Sequence, residues 1–247
     1  MPSRLPRTRG ASRSRPEVHP WIEVARGVRV TGDGAAWLPE HSVLVVADIH
    51  LGYELATRRR GGYLPTAATA REIAARLSGL ARDIGATRVV IAGDLRHSTR
   101  DVDARERSEI ASFAVAMREH VQLDVISGNH DGGDALAGEP DQALLVLGDV
   151  AITHAPPDVL PEHGVVVCGH LHPRITLRDG TGASARFHCA LSADRLIILP
   201  AFSDWAGGVE ASRLVRRLPP AVWRVLPMVS GEVADVGMIH DTRDSAR

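Results

Sequence analysis

Nine Asp, Asn and His residues of this chain fall at five places where an apolar run stops. Asp48 and His50 follow Val43 to Ala47, and Asp94 follows Thr87 to Ala92 across Gly93. Asn129, His130 and Asp131 follow Val121 to Ser127 across Gly128. His154 closes Val150 to Thr153, and His170 and His172 come after Val165 to Cys168 and Gly169. Taken singly, each has a dull explanation: an Asp after Gly is a turn residue, and a His at a strand end is a hydrogen-bonded surface residue. The set is different. Oxygen and nitrogen donors without a thiolate suit manganese, iron or zinc in a reactive site rather than a structural zinc cage. Six or seven such donors exceed what one ion requires, so the pattern implies two ions sharing a bridging carboxylate. Two such ions lower the pKa of a bound water and clamp the oxygens of an in-line phosphoryl displacement. Hydroxide bridging them is the nucleophile, so no activated Ser or Cys is needed, and no GxSxG stretch or plausible Cys–His pairing is present.

Something must hold these residues at one end of a sheet. The β-branched run at Val43 predicts a strand covered on both faces, with Asp48 and His50 at its carboxyl end, where open α/β sheets bind ligands. A spacing of two puts both side chains on one side of an extended chain. Thr31-Gly-Asp-Gly34 predicts a hairpin before it. Thr66 to Ile84 has apolar residues at Ile73, Leu77, Leu80 and Ile84 and a terminating Gly85, which predicts a helix. Asp101 to His120 predicts a second, with Ile110, Phe113, Ala114 and Met117 as its core stripe. Strand–helix–strand–helix–strand order implies right-handed crossovers and a parallel sheet. From Leu144 to Leu199 the runs are short and separated by turn residues, which predicts a second sheet packed on the first. After Ala201 the pattern weakens.

Composition sets the frame. The chain has 247 residues, 44% hydrophobic and 24% charged, with a formal net charge of −1. Bulk charge therefore gives no argument for a nucleic-acid binder. No apolar run approaches the roughly 20 residues of a membrane helix. Residues 1–20 are rich in Arg, Ser and Pro and lack an apolar segment, so they read as a disordered arm rather than a secretory signal. Residues 21–240 read as one domain and 241–247 as a frayed tail. Cys168 and Cys189 sit in apolar runs outside any CxxC pair, which fits a reducing cytoplasm. All 29 basic residues are Arg, which we read as codon bias before chemistry.

Asp48-x-His50, Gly93-Asp94, Gly128-Asn129-His130-Asp131, His154 and Gly169-His170-x-His172 resemble, in order, the motifs of the calcineurin-like metallophosphoesterases. Asp48-Ile-His-Leu-Gly-Tyr-Glu54, Gly93-Asp-Leu-Arg-His-Ser98 and Leu199-Pro-Ala-Phe202 with Gly207-Gly208 resemble the bacterial DNA ligase-associated branch. The resemblance implies an α/β fold in which a two-sheet β-sandwich is flanked by helices in four layers. It implies one ion held by Asp48, His50 and His172, a second by Asn129, His154 and His170, and Asp94 between them. Manganese leads, with iron and zinc as alternatives. His130 would act on the substrate phosphate, and Asp131 would orient its imidazole. Many relatives carry a further Asp where this chain has Leu95-Arg96-His97, a difference of subtype. His97 and Arg96 are candidates for substrate contact or for support. Arg58, Arg59 and Arg60 are candidates for binding phosphate or for a solvated loop, and Tyr53 and Tyr63 for base stacking or packing.

The activity so implied is hydrolysis of a nucleotide or nucleic-acid phosphodiester, with DNA repair and a ligase or helicase partner implied only by the narrower branch. The enzymatic rival is a phosphomonoesterase or phosphoprotein phosphatase, against which stand GNHD in place of GNHE and the lack of GDxVDRG. The rival of another class is a binding module that keeps the fold without catalysis. Such proteins tend to lose ligands, and here none is missing.

Overall fold

Side chains of the Val43–Val46 strand alternate between two cores. Leu44 and Val46 pack with Val89, Ile91 and Leu123 on one side, while Val43 and Val45 join Val90, Ala92 and Ile126 on the other. A strand covered on both faces has no polar side, which is why it reads as an unbroken apolar run. The computed structural model describes residues 17–62, 68–97, 104–132, 136 and 142–240.

The first sheet has six strands in chain order. Trp21–Ala25, Val28–Thr31, Ala36–Leu38 and Val43–Val46 run antiparallel, with a turn at the predicted hairpin. Arg88–Ala92 and Gln122–Ile126 then add parallel to Val43–Val46, and helices make those crossings. The helices are α1 (Tyr53–Arg59), α2 (Ala70–Ile84) and α3 (Ala104–Arg118). A reciprocal cap starts α2: the Glu72 N–H donates to Thr69 Oγ1 at 3.3 Å and the Thr69 N–H to the Glu72 carboxylate at 2.7 Å. Gly85, at φ 77°, ends it as expected. The predicted helix starts at Thr66 and Asp101 lie outside the described residues. Ile110, Phe113, Ala114 and Met117 are all buried, and Leu77 is joined by Ala70, Ala74 and Ala81. Helix α1 was not foreseen; its Arg58 and Arg59 are helical rather than loop.

Among the described residues the second sheet has eleven strands. Val150–Thr153, Val165–Cys168 and Leu196–Ile198 form its parallel part. Its inner face, with Ile152, Val167, Ala190, Ile197 and Leu226, closes on the first sheet. Its outer face, with Val166, Cys168, Leu191 and Ile198, packs on helix α4 (Ala211–Val215) and Trp223. The layers are therefore helix, sheet, sheet, helix, as the resemblance implied. Two boundaries differ from expectation. Val18–His19, assigned to the arm, pairs with Val233 and Ala234. The weak pattern after Ala201 holds Val222–Val229, a strand inside the second sheet that pairs on both edges. Pro227 within that run is the kind of residue that argues against a central strand. Both cysteines are buried and free. Among the described residues no helix is long and apolar enough to cross a membrane.

Phe113 is fully buried between α3 and the first sheet. Phe113→Ala should cost about 3–5 kcal/mol, read as a lower urea midpoint with the far-UV spectrum retained.

Candidate metal centre

Beyond their last sheet residues, the first two parallel strands keep running side by side. The Asp48 N–H donates to the Gly93 carbonyl (3.1 Å), His50 to Asp94 (2.9 Å) and Leu51 to Leu95 (2.8 Å). The backbone is not extended there. Asp48, His50 and Asp94 have φ of 55°, 54° and 49°, and His170 and His172 have 69° and 44°. The expectation that an extended chain aims Asp48 and His50 the same way is therefore corrected: left-handed backbone turns them to a common centre. Seven non-glycine residues have such φ among those described, and five of them are candidate ligands. Each such residue costs on the order of 1–3 kcal/mol and persists only where its surroundings over-determine it, which is the usual mark of a functional site.

Besides a group of His50, His97 and His130, the side chains of the described residues converge in two clusters that share Asp94. Oxygen and nitrogen atoms of Asp48, His50, Asp94 and His172 come within 4.8 Å of one another, as do those of Asp94, His154 and His170. Asp94 divides its carboxylate between them: Oδ2 lies 3.9 Å from His50 Nε2 and Oδ1 3.6 Å from His154 Nε2. Asn129 Oδ1 lies 2.9 Å from His154 Nε2 and so belongs with the second cluster. The first cluster is largely buried, whereas His170 and Asn129 are exposed.

The chemistry of the donors fits cations. His172 Nδ1 is held by the Gly207 carbonyl at 2.9 Å and His154 Nδ1 by the Ala92 carbonyl at 3.2 Å. A carbonyl can only accept, so those nitrogens carry the protons and each Nε2 presents a lone pair to the centre. His154 Nε2 then faces the lone pairs of Asn129 Oδ1 and Asp94 Oδ1. Asp48 Oδ1 is buried without a hydrogen-bond partner among the described residues. Acceptors turned on one another in this way call for positive charge between them.

The electrostatics agree. Burial, reinforced by His172, His130 and His97, pushes His50 down to about 2, so its ring is neutral and able to ligate. Burial also opposes charge on His172, but the Asp48 carboxylate, 3.4 Å from its Nε2, more than offsets it and raises the ring above its usual value. That carboxylate favours a cation at this point.

The remaining candidates separate. His130 is partly exposed, with Nε2 4.0 Å from Asp94 Oδ2. Its Nδ1 is 2.6 Å from the His97 carbonyl, which sets the ring. Asp131 does not. It is fully buried and its carboxylate accepts from the Gly128 N–H (2.8 Å) and the Arg96 N–H (3.1 Å), so its role is to brace the loop. Arg96 spans the same loop, donating from Nε to the His130 carbonyl at 3.0 Å. His97 stacks on His130 with centroids 5.6 Å apart and lies 3.3 Å, Nε2 to nitrogen, from the Arg60 guanidinium. Tyr53 packs against His97 at 4.6 Å. Arg58 pairs with Glu54 along α1, and Arg59 lies 4.0 Å from Glu106. Of the three arginines, Arg60 touches a residue of the site, His97. Tyr63 lies outside the described residues. Reasoning from sequence missed the carbonyls of Ala92 and Gly207, which carry no side-chain signal.

The structure is a layered sandwich of two sheets between helices, with this His, Asp and Asn set at its strand ends. A solved structure shows the same fold: that of a Pseudomonas putida nuclease, MPE, superposes with a TM-score of 0.64 at 24% identity, covering 89% of this chain and 100% of that one. The phosphoesterase Yfce from E. coli aligns more loosely, at a TM-score of 0.40 and 16% identity over 80% of this chain and 98% of that one. No family model matches the sequence. No curated protein matches it either.

Two outcomes follow. A Cβ at Gly128 would overlap the Asp94 carboxylate and backbone. Gly128→Ala should weaken Mn²⁺ binding by roughly 10- to 100-fold, the scale of a disturbed ligand support, measured by titration calorimetry. Second, burial, His130 and Arg60 hold His97 down at about 4, against 6.5 for a free imidazole. The unfolded chain takes up the proton first, so the stability this group contributes is complete above about pH 6.5 and falls as pH drops toward 4. His97→Gln should flatten that slope in denaturant unfolding with EDTA; an unchanged slope would refute the assignment.

Proposed function

We propose that this chain is a metal-dependent phosphodiesterase that uses two divalent ions to hydrolyse a nucleotide or nucleic-acid phosphodiester. The observation that carries the reading is Asp94, with one oxygen toward His50 and the other toward His154. Asp48, His50 and His172 would hold one ion and Asn129, His154 and His170 the other, with Asp94 common to both. When bound, two such ions supply a water of lowered pKa and neutralise charge on the phosphoryl oxygens.

The chain's own residues do the rest. His130 presents Nε2 to the open side while its Nδ1 rests on the His97 carbonyl. As an imidazolium it donates Nδ1–H to that carbonyl and Nε2–H toward the leaving oxygen, a general-acid role. Asp131 and Arg96 keep the loop carrying it in place. Exposure of Asn129 and His170 leaves the second cluster open to a chain-like substrate. That the similar Pseudomonas putida protein is a nuclease agrees with a nucleic-acid diester. Manganese is the metal to test first, then iron and zinc. Residues 21–240 would form one domain. Work in DNA repair beside a ligase or helicase, in the cytoplasm, rests on the motif resemblance and the two free thiols.

Purified protein with Mn²⁺ should hydrolyse bis-p-nitrophenyl phosphate faster than p-nitrophenyl phosphate. Asp94→Asn and Asn129→Ala should each lower kcat by ~10²-fold or more, the scale of a lost preorganised charge contact. Parent-like turnover in both variants would sink the proposal, and a preference for the monoester would point to a phosphomonoesterase instead.

A further inference from the structure

Beside the first metal cluster a cavity of about 730 Å³ runs from His50 past Tyr53 and the start of α2 to Phe202 and Trp205. It lies within the size range of small-molecule sites. Its walls carry four carboxylates, of Glu54, Glu72, Glu109 and Asp204, against the guanidiniums of Arg76 and Arg105. The carboxylates are already engaged: Glu54 by Arg58, Glu72 by the α2 cap, Glu109 by the Ala70 N–H (3.2 Å) and Asp204 by Arg76 (3.6 Å). A pocket with more acids than bases repels a phosphate, so what enters from a phosphodiester bound at His50 is its uncharged part.

The aromatic residues say which uncharged part. Arg76 lies 4.1 Å over the Phe202 ring and fixes that buried wall. Trp205 is different. It is 37% exposed and makes no ring contact among the described residues. A large flat side chain left open at the rim of a pocket beside a phosphodiester site offers a stacking face, and base–aromatic stacking is how single strands are held without sequence readout.

We propose that this cavity takes a nucleobase of a single-stranded phosphodiester, with Trp205 as its stacking platform. The inference rests on the phosphodiesterase reading; the base that enters must be unpaired, because a paired base is not free to enter a pocket. Trp205 is a binding residue here and takes no part in the bond-breaking step.

The test uses the full chain in EDTA, where metal-dependent cleavage does not interfere, and fluorescence anisotropy with labelled six-nucleotide strands of thymidylate or of abasic residues. The parent should bind the thymidylate strand more tightly than the abasic one. Trp205→Ala should weaken thymidylate binding roughly 5- to 150-fold, the range for one stacked base, and leave abasic binding unchanged. Trp205→Phe should recover part of the loss. Equal binding of both strands by the parent, or equal effects of Trp205→Ala on both, overturns the proposal. Failure of the phosphodiesterase reading shows separately, as a parent protein that binds the strand yet cleaves no diester with Mn²⁺.

Discussion

The Asp94 carboxylate has to face two groups of histidines at once, and much of the surrounding structure exists to let it. Its oxygens point to opposite sides only because the residue after the strand turns into left-handed backbone, at φ 49°. Neighbouring chains must then come unusually close. A side chain at Gly93 would strike the His154 ring, one at Gly128 would strike Asp94 itself, and one at Gly169 would meet Ala47 and Asp48. These glycines serve close approach; only Gly93 among them also has a positive φ. At Asp48, His50 and Asp94 the strain is held by hydrogen bonds that continue the strand pairing past its regular end, and the His170 N–H donates to the Asp48 carboxylate.

Burial divides the site into a fixed rear and an open front. Asp48, His50 and Asp94 are almost wholly enclosed, and enclosure keeps His50 neutral where a solvated histidine would titrate near neutrality. Asn129, His170 and His130 lie toward solvent. The loop carrying Asn129 and His130 would be free to move at such a surface, and Asp131 and Arg96 prevent it from beneath. Support beneath and exposure above is what a preorganised site needs.

Much of this was legible in the sequence because it is written in strand periodicity and residue type. Unbroken apolar runs marked the strands, and the polar residues that stop them marked the donors. The local geometry was not legible. Asp48-Ile-His50 announces positive φ only weakly, since Asp and His are enriched there over other side chains but fall far below glycine. The partners of Asp131 were not legible for a related reason: its proximity to His130 in the chain says nothing about which backbone amides its oxygens meet. Val18–His19 looked like part of a polar arm because two residues are too few for any period to show. Helix α1 was hidden by its brevity, its leading Gly52 and its run of arginines.

Each cluster draws donors from both sheets. Asp48, His50, Asp94 and Asn129 follow strands of the first, whereas His154, His170 and His172 follow strands of the second. Neither half of the sandwich therefore owns a complete coordination sphere. An ion captured here acts as a clasp across the interface, and its binding energy becomes cohesion between two layers otherwise held by aliphatic packing. The same division would leave each donor set a fragment while the sheets are apart, so a full coordination sphere would exist only once hydrophobic burial had brought the layers together.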